Sequence, residues 1–364
     1  MAAKQMSSNI LLIKTHAFGD VLLTTPAIHA IYKNNPANKI YYLTGRWSSE
    51  ALYNNPYLTK TFRLDDDALF GKKLYKIIPL ILELRKYKFE AIIIFSASKY
   101  IHFLSWLIGA TTRVGFGNSS FITHKICPSV LQNDYAARAY NTLLEPLCIP
   151  CNGTKLDFQI KEVCIPENLS TFLEKYKSNV IGLFCGGGKN PRDTVLIKQW
   201  GAKKFIELAK LLSADGYGFL LFGSMDDRKI NTTLKDELND AIFDLSGQYS
   251  FNETGYLMKL CRLFVTNDSA PFHISYALTI PTVCIFGPSN SKLLSPQLPF
   301  CRYIQSRVEC SPCYGNDIFI GCANPICMEN ISANDVYKEC KSLLSKNFNY
   351  ENVIRFVGTQ QQRI

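Results

Sequence analysis

Apolar residues fall along the chain in short continuous runs separated by stretches with helical spacing. Ile10–Ile13 is one such run, KTHAFGD follows it, and VLLTTPAIHAIYK then carries apolar residues at Val21, Leu22, Ala27, Ile28 and Ile31. A short apolar run reads as a buried strand and the wider period as an amphipathic helix, so the order is strand, loop, helix. The unit recurs: KIYYLT (Lys39–Thr44) reads as a strand, PLILELRKYK as a helix, EAIIIF (Glu90–Phe95) as a buried strand, HFLSWLIGA as a helix and RVGF (Arg113–Phe116) as a strand. Continuous apolar strands alternating with helices predict a parallel sheet covered on both faces.

The helical register stops between Asp157 and Pro166, and a second alternation starts at NVIGLF (Asn179–Phe184). From there the pattern predicts a CGGGKNPRD loop, a helix over KKFIELAKLLSADG capped by Gly216, strands at YGFLLFGS and AIFDLSG, a helix at GYLMKLCR, a strand at LFVTND, a helix at SAPFHISYALT and a strand at TVCIFG. Two α/β domains are expected, residues 1–165 and 178–345, with a C-terminal tail, 346–364, that packs back on the first. No internal sequence repeat relates them.

A length of 364 residues suits two domains of ordinary size. With 47% hydrophobic and 19% charged residues, and Gly and Pro scattered, disorder and low-complexity arrays are excluded. The longest apolar stretches fall short of the roughly 20 residues that cross a bilayer. The N-terminal MAAKQMSSN leads into only four apolar residues, which is no signal-peptide core. Thirteen cysteines, most in apolar settings, suit a reducing compartment, and a cytosolic address is expected. The net charge of +10 is uneven: residues 1–165 hold 19 Lys+Arg against 11 Asp+Glu, and residues 166–364 hold 21 against 19. The first part therefore either meets an anionic partner or simply carries solvated lysines.

In open parallel sheets, ligands bind beyond the carboxyl ends of the strands. Three such loops carry functional groups. KTHAFGD offers Lys14, a turn-permitting Gly19, and Asp20 at a helix start, where a carboxylate either caps the helix or acts as a general base. CGGGKNPRD puts Gly186, Gly187 and Gly188 at a strand end, with Lys189, Arg192 and Lys198 following, a composition suited to a phosphate. It is neither GxGxxG nor GxxxxGK[ST], which weakens a nicotinamide or P-loop reading. TNDSAPFHISYAL places Asp268 and Ser269 at a strand-to-helix junction with His273 one turn on, either a capped helix with a half-buried histidine or a diphosphate site.

Taken together, ILLIKTHAFGDVLLTTPAIHAI and FVTNDSAPFHISYALTIPTVCIFGPS resemble the two signatures of glycosyltransferase family 9, the lipopolysaccharide heptosyltransferases, in order and spacing. GGGKNPRDTVLIKQW, RVGF and FGSMDD extend the resemblance over nearly the whole chain. It implies a GT-B fold, two Rossmann-like doubly wound parallel-sheet domains facing across a cleft, with the acceptor on the N-terminal domain and the donor on the C-terminal one. It also implies inverting, metal-independent transfer of a heptose or related sugar from an ADP-sugar to a lipopolysaccharide inner-core or related lipid-linked glycan. By motif, Asp20 matches the general base and Lys14 the cation behind its loop. Gly186, Gly187, Lys198, Asp226, Asp268, Ser269, Ala270 and His273 fall on the donor side, with Asp226 the ribose contact, and His16 and Arg113 on the acceptor side. Ala270 stands where the family has glycine, and His16 and Phe18 where small or aliphatic residues are common. The implied partners are a nucleotide-sugar, an anionic lipid-linked oligosaccharide and the inner face of the inner membrane, with no nucleic acid and no required cofactor. The chemistry fits: inversion needs a carboxylate to take the acceptor's proton, and positive charge and amides on the departing diphosphate.

Cys310, Cys313, Cys322 and Cys327 lie within 18 residues, the first pair spaced CxxC, and either close a structural zinc site or remain as thiols. This cluster is expected to lie outside the chemistry. Two other functions fit a two-domain α/β chain, a nucleotide-sugar epimerase and a non-catalytic sugar or nucleotide binding module.

Overall fold

The computed structural model describes residues 8–346, except 66, 69, 70, 72, 178, 190–193 and 315–320. The expected tail from 347 onward, and Arg192, lie outside the described residues. The chain forms two compact units, one running to Gln159 and the other beginning at Ile160.

The first unit is a six-stranded sheet: β1 (Asn9–Ile13), β2 (Lys39–Gly45), β3 (Lys60–Leu64), β4 (Ala91–Ile94), β5 (Thr112–Phe116) and β6 (His124–Ile126). Its order is β3-β2-β1-β4-β5-β6. Every pairing is parallel, with Leu11 opposite Tyr41 on one side and Ile92 on the other. The chain winds outward from β1 to β3, then returns to β4 and winds the other way, so the direction reverses between β1 and β4. Ile77, Ile81 and Leu84 of the helix Leu74–Arg85, with Ile101, Leu104 and Ile108 of the helix Lys99–Ile108, fill one face of this sheet.

The second unit repeats the plan with β7 (Val180–Phe184), β8 (Gly218–Phe222), β9 (Ile242–Asp244), β10 (Leu263–Asn267), β11 (Thr282–Phe286) and β12 (Cys301–Gln305), ordered β12-β11-β10-β7-β8-β9 and again all parallel. Here the direction reverses between β7 and β10. Strands β7, β8, β10 and β11 are buried throughout, which is why they read as unbroken apolar runs. Phe205, Leu208 and Leu212 of the helix Ala202–Ala214 and Val336, Cys340 and Leu343 of the helix Ala333–Leu344 share one core beneath this sheet.

Where the structure departs from the sequence reading, the causes are local. The helix expected over Val21–Lys33 is two helices, Phe18–Leu22 and Thr25–Asn34. Pro26 has no amide hydrogen to give, and the Thr24 and Thr25 hydroxyls bond back to the Val21 and Leu22 carbonyls at 2.7 Å, closing the first helix. The helix expected from Pro79 starts at Leu74, because the carbonyl that Pro79 leaves unbonded belongs to Tyr75, which is exposed to water. The helix expected from Gly255 starts at Phe251, since Ser250 and Glu253 form a capping box. Strands β3, β6 and β12 are edge strands with mixed burial, so their sequences carry no continuous apolar run.

Candidate active site

Functional side chains gather at the carboxyl ends of the central strands in both units, at the two points where the winding reverses. That is where a doubly wound sheet leaves a crevice free of crossing helices.

In the first unit, Lys14 follows β1 directly and is 8% exposed. Its Nζ lies 2.9 Å from Asp20 Oδ2, and it also sits over the Tyr140 ring at 5.5 Å. Burial pushes the Lys14 ammonium down, but the Asp20 carboxylate and the Tyr140 hydroxyl more than reverse this, so it is held charged, above the usual lysine range. Burial and the Asp20 charge push the Tyr140 phenol up to about 12, so it stays neutral. The Asp20 side chain is 37% exposed, and the carboxylate is fixed on its inner side by Lys14 and reachable from outside. What holds the loop is Phe18, fully buried, with its ring edge-on to Trp47 and Phe158 at 6.1 Å. The sequence marked Phe18 only as a departure from the family pattern, and Tyr140, which lies 120 residues from Asp20, carries no local signal. His16 is half-buried in the same loop, its Nδ1 3.1 Å from the Thr15 hydroxyl.

Arg113 does not join this group. It lies near the start of β5, at the level of Ile92 and Leu11, whereas Lys14 lies beyond the end of β1. Its Nε donates to the Phe121 carbonyl at 2.7 Å and its Nη1 to the Ala110 carbonyl. The guanidinium therefore braces the turn around β5.

In the second unit, Gly186–Gly188 leave β7 beside the end of β10. Gly187 and Gly188 have φ of +105° and +76°, which favours glycine. A Cβ on Gly186 would stand 1.9 Å from Asp227 Oδ1, and one on Gly187 3.2 Å from Ser269 Cβ, so the run is wedged between two helix starts. Asn267, fully buried, organises the loop: its Nδ2 donates to the Cys185 and Gly186 carbonyls at 3.0 and 2.8 Å, and its Oδ1 accepts from the Trp200 amide at 3.1 Å. Sequence reasoning missed Asn267, although its place just before Asp268, ending a buried strand, was the available signal.

Lys198 Nζ lies 2.8 Å from Asp268 Oδ2, and Asp268 is 5% exposed. Burial pushes the Asp268 carboxyl up, but Lys198, then Ser289 and last His273 hold it below the usual carboxylate range. Ser269 occupies the N-cap of the helix Ala270–Ala277, which carries His273 on a buried turn and accepts the methyl group of Ala270 in helical backbone. Of the two neighbouring acids, Asp227 is a cap, accepting from the Ser224 amide and hydroxyl at 2.8 and 2.7 Å, while Asp226 is exposed and pairs with Lys189 at 3.1 Å. The structure thus brings together Gly186, Gly187, Lys198, Asp268, Ser269 and His273, with Asp226 at the exposed edge.

The cysteine segment lies closer to this site than its spacing implied. The Cys313 and Tyr314 amides both donate to the Pro288 carbonyl at 2.8 Å, and Ser311 Oγ donates to the Gly287 carbonyl at 2.6 Å. Lys198 Nζ stands 4.3 Å from the centre of the Tyr314 ring, so the segment supplies one wall around that ammonium. The turn after β11 needs donors for its carbonyls, and the segment provides them. Burial pushes the Cys313 and Cys327 thiols up, and the neighbouring thiols add to it. Among the described residues, no group of three or more His, Cys, Asp or Glu side chains is arranged to hold a metal ion.

The model of glycosyltransferase family 9 (heptosyltransferase) matches residues 77–322, two thirds of the chain. The chain belongs to glycosyltransferase family 9. Lipooligosaccharide heptosyltransferase 2 of Haemophilus influenzae is 26% identical over 306 residues, covering 79% of this chain and 86% of its own. A solved glycosyl transferase family 9 structure from Veillonella parvula superposes with a TM-score of 0.76 at 22% identity, over 94% of this chain and 99% of that one. Escherichia coli ADP-heptose lps heptosyltransferase II superposes at 0.71 and 20% identity, over 93% and 98%. These two likenesses show that the fold is shared over more than nine tenths of the chain. The protein is therefore an enzyme that transfers a glycosyl group, and the epimerase and binding-module readings fall away.

Proposed function

We propose that this family 9 glycosyltransferase moves a heptose, or a closely related sugar, from an ADP-sugar to a phosphorylated, lipid-linked core oligosaccharide, inverting the anomeric centre without a metal ion. The observation that carries the donor half is the Lys198–Asp268 pair set beside a glycine run and a helix start at the reversal of the second sheet. Lys198 has an ammonium held in place by a buried carboxylate and an aromatic ring, and it meets the diphosphate. The amides of the glycine run and those following Ser269 share the charge that develops as the diphosphate departs. On the acceptor half, Asp20 takes the proton from the attacking hydroxyl, and Lys14 and Tyr140 fix the carboxylate's direction. His16, beside it, meets the acceptor. Asp226 takes a ribose hydroxyl of the nucleotide.

The supporting relatives include lipooligosaccharide heptosyltransferase 2 of Haemophilus influenzae, and the action at the cytosolic face of a membrane follows from an acceptor of that kind. Among the described residues, no helix is long and apolar enough to cross a membrane. The test is a panel of ADP-heptose, other ADP-sugars, UDP-sugars and GDP-sugars against a deacylated core acceptor, with and without EDTA and read by mass. Transfer from the ADP-sugar in EDTA supports the proposal; transfer from UDP- or GDP-sugars alone, or immediate loss of rate in folded protein, refutes it.

A further inference from the structure

One surface of the first unit breaks the usual division of a helix into a buried face and a wet one. The helix Leu74–Arg85 buries Ile77, Ile81 and Leu84, yet its opposite face carries Tyr75, Ile78 and Leu82, which are 68, 46 and 58% exposed. These residues recur at helical spacing, with exposed Pro79 among them, so the outer stripe is continuous. The helix Lys99–Ile108 packs beside it, and Arg85 Nη1 ties the two by donating to the Leu107 carbonyl at 2.7 Å. That second helix presents Trp106, 48% exposed, whose ring lies against Phe103 and Phe121 with centroids 5.9 and 5.8 Å away. Among the described residues of this unit, Tyr75, Ile78, Leu82 and Trp106 are its exposed large hydrophobic side chains. Their gathering on two adjacent helices is what marks an interaction surface, since single exposed apolar residues are ordinary.

The charge around this surface is mainly basic. Residues 72–113 hold eight Lys+Arg against two Asp+Glu, a net +6, and Asp65, just before them, sits within electrostatic reach of Lys76. Lys73, Lys76, Arg85, Lys86 and Lys99 are exposed, and one of the two acids, Glu83, pairs with Lys60 at 2.9 Å. We propose that this face docks the protein on an anionic phospholipid surface, the apolar side chains entering the boundary between headgroups and acyl chains and the basic ones meeting lipid phosphates. The inference deepens the functional reading, resting on it for a membrane-linked acceptor. A second copy of the chain is a poor occupant, because it would set a charge of +6 against itself. Residues 347–364 are a poor one too, since Arg355 and Arg363 outnumber Glu351. Lipid phosphate is complementary on both counts.

The experiment uses the full chain with vesicles of mixed phosphatidylglycerol and phosphatidylcholine, and of phosphatidylcholine alone, measured by co-sedimentation over a range of salt and by tryptophan emission. Binding to the anionic vesicles that weakens with salt, with a blue shift of emission lost in Trp106→Phe, is the expected result. Ile78→Ser combined with Leu82→Ser is expected to weaken partitioning by about tenfold or more. Undiminished partitioning of that folded double variant, equal binding to uncharged vesicles, or self-association of the lipid-free protein that the double variant abolishes would each overturn the proposal. Transfer to a soluble deacylated acceptor is measured alongside and is expected to be unchanged in the double variant. A wild-type protein that partitions as described but transfers no sugar leaves the docking surface standing and refutes the function. One that transfers to the soluble acceptor but ignores anionic vesicles does the reverse.

Discussion

Replacing Asn267 tests whether the glycine loop of the second unit is held by a side chain rather than by its own backbone. Its amide makes three bonds, to the Cys185 and Gly186 carbonyls and the Trp200 amide, and all of these groups are buried. The partners fix the amide's orientation, since two carbonyls require a donor and one N–H requires an acceptor. At about 1 kcal/mol for each bond lost, Asn267→Ala is expected to cost roughly 3 kcal/mol, with more if no water replaces the amide. For a unit of this size that lowers the melting temperature by about 6–12 °C. Asn267→Asp keeps the acceptor for Trp200 but points a carboxylate oxygen at two carbonyls in a buried site next to Asp268, so it is expected to cost more than alanine. The released loop should also weaken ADP binding by about tenfold, the ordering cost that the amide now spares the ligand. Differential scanning calorimetry gives the first quantity and titration with ADP the second. An aspartate variant as stable as the alanine variant, or an alanine variant within about 1 kcal/mol of wild type, would refute the account of the loop.

Asp20→Asn should leave ADP affinity intact and lower kcat by about a hundredfold or more, the usual worth of a positioned base. Near-normal turnover in steady-state assays would return Asp20 to a role in starting its helix. Lys198→Ala strands the buried Asp268 carboxylate, so it should destabilise by about 3 kcal/mol or more, whereas Lys198→Ala with Asp268→Asn should recover part of that loss. Both should bind ADP weakly by calorimetry, and unchanged affinity in the double variant would take the donor away from this loop. Glu253, held by Lys161 and the Ser250 cap, has its carboxyl lowered from an ordinary value near 4.5 to about 2. A lowered folded value gives stability that is present above pH 4.5 and is lost as the pH falls towards 2. The melting-temperature gap between wild type and Glu253→Gln should therefore close in that window, and a gap that persists at the acid end would refute the assignment.

The central strands were legible because strands buried on both faces must be apolar throughout, as in Ile10–Ile13 and Val180–Phe184. The edge strands β3 and β12 were not, because most of their residues are only partly buried or exposed and their sequences need not be apolar throughout. The two candidate sites were legible wherever a loop follows a buried strand directly, which brought in Lys14, Asp20, Gly186, Gly187 and Asp268. Contacts made at long range left no such trace: Tyr140 reaches Lys14, Tyr314 reaches Lys198, and the Cys313 amide reaches Pro288 only through the fold. Arg113 could not be placed from sequence either, since a cation at a strand looks the same whichever end of the sheet it occupies.

Because every pairing in both sheets is parallel, no strand can find its partner through a tight turn, and this governs how the chain comes off the ribosome. Strand β1 is synthesised before either of its neighbours, one of which begins at Ala91. At about 5–20 residues per second, the NILLI segment waits roughly 4–16 s for that partner to be made. Until then a strand with four aliphatic side chains keeps one edge unpaired. Expression yield should therefore depend more on early chaperone capture of this segment than on the stability of the finished enzyme.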